Sequence, residues 1–253
     1  MVEDYKPRYG TGTGARTAAE IDEGLRAYML TVYNYMASAL VLTGLMAYVT
    51  ANVPALYSLL YNFQTAPDGA VYLTGMTGLG LVVMFAPLAL VFFISFRINH
   101  IQASTAQMVF WIYAGLVGMS ISSILFVYTG TSIAKTFFVT AAAFGSLSLY
   151  GYTTKRNLTG MGSFLIMGLF GIILASIVNL FLQSNMMDFI ISILGVLIFA
   201  GLTAYDTQKI KLMYTQNDGH QMAKKKAIMG ALNLYLDFLN MFLFLLRFMG
   251  NRN

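Results

Sequence analysis

The sequence predicts an all-α integral membrane protein of seven transmembrane helices, with the C-terminal helix at the centre of the bundle. Three observations predict it. Only 10% of the 253 residues are charged while 58% are hydrophobic, and the mean hydropathy is +0.68. A soluble domain carries about 25% charged residues, so this chain cannot cover a water-facing surface. The apolar residues gather into seven runs long enough for helices rather than barrel strands. The polar residues of the last run fall on one helical face, which must point at protein or water rather than lipid.

Residues 1–25 are polar and mixed in charge, with Gly10, Gly12 and Gly14 and five of the ten acidic residues, Glu3, Asp4, Glu20, Asp22 and Glu23. No apolar core follows a basic start, so the segment reads as a short cytoplasmic tail and not a signal peptide. The remainder, 26–253, is expected to be one membrane domain. Its spans are placed at 27–50, 71–95, 105–128, 134–153, 161–182, 187–208 and 228–248. At about 1.5 Å per residue each crosses a hydrocarbon core of roughly 30 Å. The fourth span carries Lys135, Thr140, Ser146 and Ser148, and is expected to be buried among its neighbours. Pro87 is expected to kink the second. Glycines at 75, 78, 80, 115, 118, 168 and 171 read as close-packing positions. No strand or basic phosphate ligand accompanies them as nucleotide binding would need.

Charge counting orients the chain. With the N-terminus inside, the inner face receives Lys6, Arg8, Arg16, Arg26, Arg97, Lys155, Arg156, Lys209, Lys211 and Lys224–Lys226, which is 12 of the 15 basic residues. Lys135, Arg247 and Arg252 stay outside. The asymmetry predicts N-terminus in and C-terminus out. The net charge of +5 is therefore a topology signal and not a nucleic-acid surface, since no basic run is interleaved with aromatics for base stacking. Cysteine is absent, which excludes disulfides, thiolate nucleophiles and cysteine-based metal sites.

Under this topology Asp68 and Asp188 fall in outer loops and Asp218 in an inner one. Only Asp206 and Asp237 are left inside spans, and an ionisable group in hydrocarbon is a functional candidate by default. Asn233, Asp237, Asn240 and Arg247 step by four, three and seven along the last span, forming its polar stripe. The asparagines also fit simple helix glue. Asp206 lies three residues before Lys209, near the inner boundary. Asp237 lies eleven beyond Lys226, about 16 Å along the helix. Counting from a turn at Asn217-Asp218-Gly219 leaves Asp237 deeper by roughly 7–9 Å, so spacing permits contact without establishing it. Two carboxylates that do meet in low dielectric cannot both ionise cheaply, and the pair becomes a pH-biased two-state element. Arg97, at the inner end of the second span, is the cation best placed to modulate it, and fits a plain marker of the inner face equally well.

The run Ala204–Lys211 (AYDTQKIK) together with Leu232–Phe248 (LNLYLDFLNMFLFLLRF) resembles the Bax inhibitor-1 family, and the likeness to its bacterial members covers nearly the whole chain. The resemblance implies a seven-helix fold around the last helix, in a bacterial inner membrane. It implies a pH-sensitive calcium leak whose sensor matches Asp206 and Asp237, with Arg97 as the charge partner from the second helix. Two departures stand out: a long basic inner loop, Met213–Lys226, and a second span without an acidic residue. Calcium takes six to eight oxygens and two carboxylates supply at most four, so no tight metal site or resident cofactor is expected and calcium would bind only transiently.

Four other readings compete with this one. A proton-coupled transporter needs the same aspartates. A non-conducting regulator would bind a membrane protease or cell-death factors, as members of the family are credited with doing. An intramembrane aspartyl protease would also place two aspartates on adjacent helices, but its second follows a Gly-x-Gly pattern, whereas Asp237 follows Leu234-Tyr235-Leu236. A rhomboid-type serine protease lacks a histidine within a span, His100 and His220 both falling in loops. The chain is therefore expected not to be an enzyme.

Overall fold

The computed structural model describes residues 18–65, 71–98 and 100–252. Eleven elements follow in order among them: α1 (Ala18–Asn52), α2 (Pro54–Leu60), β1 (Tyr61–Thr65), β2 (Val71–Met76), α3 (Gly78–Arg97), α4 (Ala103–Ile121), α5 (Ile124–Val127), α6 (Gly130–Thr153), α7 (Thr159–Leu182), α8 (Asn185–Met213) and α9 (His220–Met249). Seven helices are long and apolar enough to cross a membrane, with α4 and α5 forming one span. The protein is an all-α multi-pass membrane protein.

Several boundaries differ from the sequence reading, each for a physical reason. The second span begins at Gly78 rather than 71, because 71–76 pair with Tyr61–Thr65 in a two-stranded antiparallel sheet. Tyr57, Phe63 and Phe126 stack edge-on beneath this hairpin, and Thr77 ends it by capping α3 at Gly80 N. The chain is already helical at Ala18, so the upper part of the expected tail extends the first span; residues 1–17 and Asp68 lie outside the described residues. The inner loop shrinks to 214–219, since His220 and Lys224–Lys226 form the first turns of α9. Lys226 is held there by Asp218 Oδ2 at 2.6 Å and Met213 O at 3.0 Å. Asp188 lies in the first turn of α8, not a loop, with Ser184 as N-cap.

α9 is the central helix. Of its apolar window 61% is buried, against 6–33% in the other spans. It packs on α1, α4, α6 and α8, its largest contact being with α8. Two helices are peripheral: α3 rests mainly on α4, and α7 on α8. Tyr235 of α9 is fully buried and ties the centre to α1 through its hydroxyl and Thr43 Oγ1, 2.7 Å apart, while Phe110 and Tyr113 of α4 meet its ring edge-on.

The fourth span, α6, is buried on one face only. Thr136, Thr140, Phe144, Ser148 and Gly151 point inward at steps of three and four, whereas Ser146 is exposed and returns its hydroxyl to Ala142 O at 2.8 Å. A single serine on the outer face is tolerated because that intrahelical bond satisfies it. Pro87 lies inside α3, which continues through it. Of the glycines read as packing positions, Gly80 and Gly118 abut the backbone carbonyls of Leu60 and Thr43, while Gly75, Gly78 and Gly171 face open space.

Candidate functional site

The stretch Ala204–Lys211 of α8 divides its side chains among every neighbour that α8 has. Gly151 of α6 brings its backbone against the Ala204 carbonyl so closely that no Cβ fits between them. Tyr205 fills the notch left by Gly162 of α7. Thr207 Oγ1 bonds Ser148 Oγ of α6 at 2.9 Å, and Ser148 bonds Tyr33 OH of α1 at 2.6 Å, so three helices share one hydroxyl chain. Gln208 Oε1 accepts from Leu158 N and its Nε2 donates to Arg156 O, both at 2.8 Å, fixing the α6–α7 connection. Lys211 donates to Tyr152 O at 2.7 Å in the last turn of α6 and lies 5.0 Å from that residue's ring. Such a cation completes the carbonyls of a helix end. Replacing Gln208 with Leu leaves the buried Leu158 N–H unpaired; the expected cost is about 1–3 kcal/mol, read as a lower thermal midpoint of the detergent-purified protein.

Of the rest of the stretch, Lys209 stays exposed, Ile210 packs on Gly230 of α9, and Asp206 also faces α9. Its carboxyl lies within hydrogen-bonding reach of Asp237, and Lys209 is close enough to act electrostatically on both. The expected depth mismatch is resolved by register and by side-chain direction. Ile210 sits opposite Gly230, which puts Asp206 level with Leu234 and only three residues, about 4.5 Å, short of Asp237. Side chains lean toward the N-terminus of their own helix. In an antiparallel pair that sends Asp206 inward and Asp237 back toward the lysines, and the two carboxyls converge.

Asp237 is 4% exposed, and its Oδ2 has no hydrogen-bond partner. Both carboxyls line a cleft of about 710 Å³ bounded by α7, α8 and α9. Asn233, Asn240 and Arg247 line it too, so the whole polar stripe of α9 faces this one space. Asn240 Nδ2 donates to Leu236 O at 2.8 Å, which leaves its carbonyl oxygen for the cleft. At the far end Arg247 Nη1 lies 3.3 Å from Asp188 Oδ1. The cleft therefore runs from Lys209 to Asp188 along α8, 21 residues or about 31 Å, the thickness of a hydrocarbon core.

Arg97 is not brought to this site. It sits exposed in the last turn of α3, and it does not line the cleft. The cation near the pair is Lys209, whose Nζ lies 5.9 Å from the Tyr205 ring centroid. Lys209 follows Asp206 by three residues, a helical neighbour spacing that pointed to it. The Arg247–Asp188 pair had a weaker signal: Arg247 closes the stripe, and Asp188 is the acidic residue at the matching end of α8. Among the described residues no three His, Cys, Asp or Glu side chains gather as a metal centre.

Residues 25–253 match the model of the family described as inhibitor of apoptosis-promoting Bax1. The chain belongs to the Bax inhibitor-1 family. Relatives match nine-tenths or more of its length. The Rickettsia prowazekii protein RP147 is 52% identical over 98% of both chains, and a Caulobacter vibrioides protein is 47% identical over the same shares. The Escherichia coli inner membrane protein YbhL is 46% identical over 90% of this chain and 93% of its own. In this Bax inhibitor-1 chain the AYDTQKIK stretch is both a packing hub and one wall of the carboxyl pair.

Proposed function

We propose that this Bax inhibitor-1 family member is a pH-sensitive calcium leak of a bacterial inner membrane, gated by proton exchange at Asp206 and Asp237. The observation that carries the reading is the convergence of the two carboxyls on one cleft that runs the depth of the bundle. The 12 basic residues assigned to one face support a topology with the N-terminus inside and the C-terminus outside, in which the pair sits toward the cytoplasmic end.

The sign of the response follows from the charges. With one proton shared, the two carboxyls attract and hold α8 on α9. As pH rises that proton leaves, two negative charges face each other in low dielectric, and the helices part. Lys209 limits the repulsion without cancelling it, because one cation faces two anions. Calcium passing the pair meets at most four carboxylate oxygens, with the amide groups of Asn233 and Asn240 about one helical turn to either side of Asp237. That is short of a closed coordination shell, which suits passage and not storage.

Non-enzymatic action is part of this reading, because Asp237 follows Leu234-Tyr235-Leu236 and not the Gly-x-Gly pattern of an intramembrane aspartyl protease.

Purified protein in liposomes loaded with a calcium dye tests the proposal from about pH 6 to about pH 8. Calcium entry is expected above empty liposomes and to increase with pH. No entry at any pH refutes the leak. Proton movement without calcium makes the protein a transporter, and silence in both together with a co-purifying membrane protein makes it a regulator.

A further inference from the structure

The cleft has a composition that ion passage does not use. Between its polar ends the walls are Ile172, Phe199, Leu202, Leu236 and Phe244. A hydrated cation gains nothing from such a surface, whereas an alkyl chain does. Ile166, Ile173 and Ile177 line the same space yet stay exposed, so the cleft opens sideways at bilayer depth. At one end of this apolar slot lies an acid: Asp237, 4% exposed, with Oδ2 unpartnered, beside Asp206. Neither aspartate is in the two ion pairs formed among the described residues, Lys226–Asp218 and Arg247–Asp188. Lys209 stays exposed over Tyr205 and does not close on either carboxyl.

We propose that the α7–α8–α9 cleft is a binding site for long-chain alkyl amines that enter from the bilayer. The ammonium donates to Asp237 Oδ2 and to Asp206, and the tail lies along the apolar walls toward Arg247. Three N–H donors match the carboxyl oxygens there, and about 710 Å³ is an ordinary size for a small-molecule site. Asp237 to Arg247 is ten residues, about 15 Å of helix, which gives the tail its length. Charge decides the class of head group. A fatty acid would put a third carboxylate beside two, and a phospholipid head would add a phosphate to them. An alcohol would leave the acid without a charge partner. This inference uses the carboxyl pair but not calcium flux, so a silent leak leaves it standing.

The test is the thermal midpoint of the full-length protein in lipid nanodiscs, titrated separately with decylamine, decanol and decanoate. Decylamine is expected to raise the midpoint saturably, at concentrations about tenfold or more below those at which decanol acts. Asp237→Asn is expected to abolish the difference. Ile173→Trp keeps both acids and narrows the tail slot from an exposed position, so it is expected to weaken decylamine even if the Asn variant fails to fold. Val82→Trp, an exposed change on α3 away from the cleft, is expected to leave the response unchanged. Equal action of decylamine and decanol overturns the site, as does stronger action of decanoate. It is also overturned if decylamine acts undiminished on Ile173→Trp, or if Val82→Trp weakens it as much.

Discussion

Asp237→Asn is expected to flatten the pH dependence of calcium entry while leaving the protein folded. An asparagine occupies the same volume and still bonds Asp206, but it carries no proton to lose. In the wild type, opening that releases one proton changes the open-to-closed ratio by at most about tenfold per pH unit. Over two units the expected change is therefore large, up to about a hundredfold, and in the variant it should fall close to one. Asp206→Asn should do the same. A basal flux that stays high or low in the variants is secondary; the loss of slope is the result that matters. If both variants keep the wild-type profile, the proton is exchanged elsewhere.

The second large effect is structural and is read within a single helix. Gly151→Ala puts a methyl group against the Ala204 carbonyl, where backbone on both sides cannot yield. Overpacking of this kind costs typically 1–3 kcal/mol, and here it separates α6 from α8 at the residue before Tyr205-Asp206. Gly145→Ala lies six residues earlier on the same helix with nothing within 4 Å of its added methyl. That change should be neutral or stabilising by up to about 1 kcal/mol, because alanine is the better helix former. Opposite shifts of the thermal midpoint in detergent are the expected outcome.

These two sites show what the sequence carried and what it did not. The seven spans and the central place of α9 were legible, because hydrophobic length and a polar stripe are local properties of the chain. Asp206 and Asp237 were legible as well, by elimination, since every other acid had water to face. Contact between them was not. It depends on the α8–α9 register set at Gly230 and on the lean of two side chains, neither of which spacing reports. Arg97 misled for a related reason: its place at the inner end of α3 is local, but α3 lies against α4, one helix away from α9. The strands at Tyr61–Thr65 and Val71–Met76 are not legible in the sequence, because Val71–Met76 is apolar enough to continue the helix after it. Gln208 and Thr207 gave no sign of their partners, since hydrogen bonds to Leu158, Arg156 and Ser148 cross 50 residues or more.

In the proposed mechanism a shared proton holds α8 against α9. The chain has no cysteine, so spin labels can be placed at Leu212→Cys and Met222→Cys, two exposed positions on the facing ends of these helices, without other changes. Pulsed electron paramagnetic resonance in nanodiscs then reads their separation against pH. The expected result is a longer α8–α9 distance, or a growing long-distance population, as pH rises, and no such change in the Asp237→Asn background. A wild-type distance distribution that stays the same from about pH 6 to about pH 8 would contradict the account.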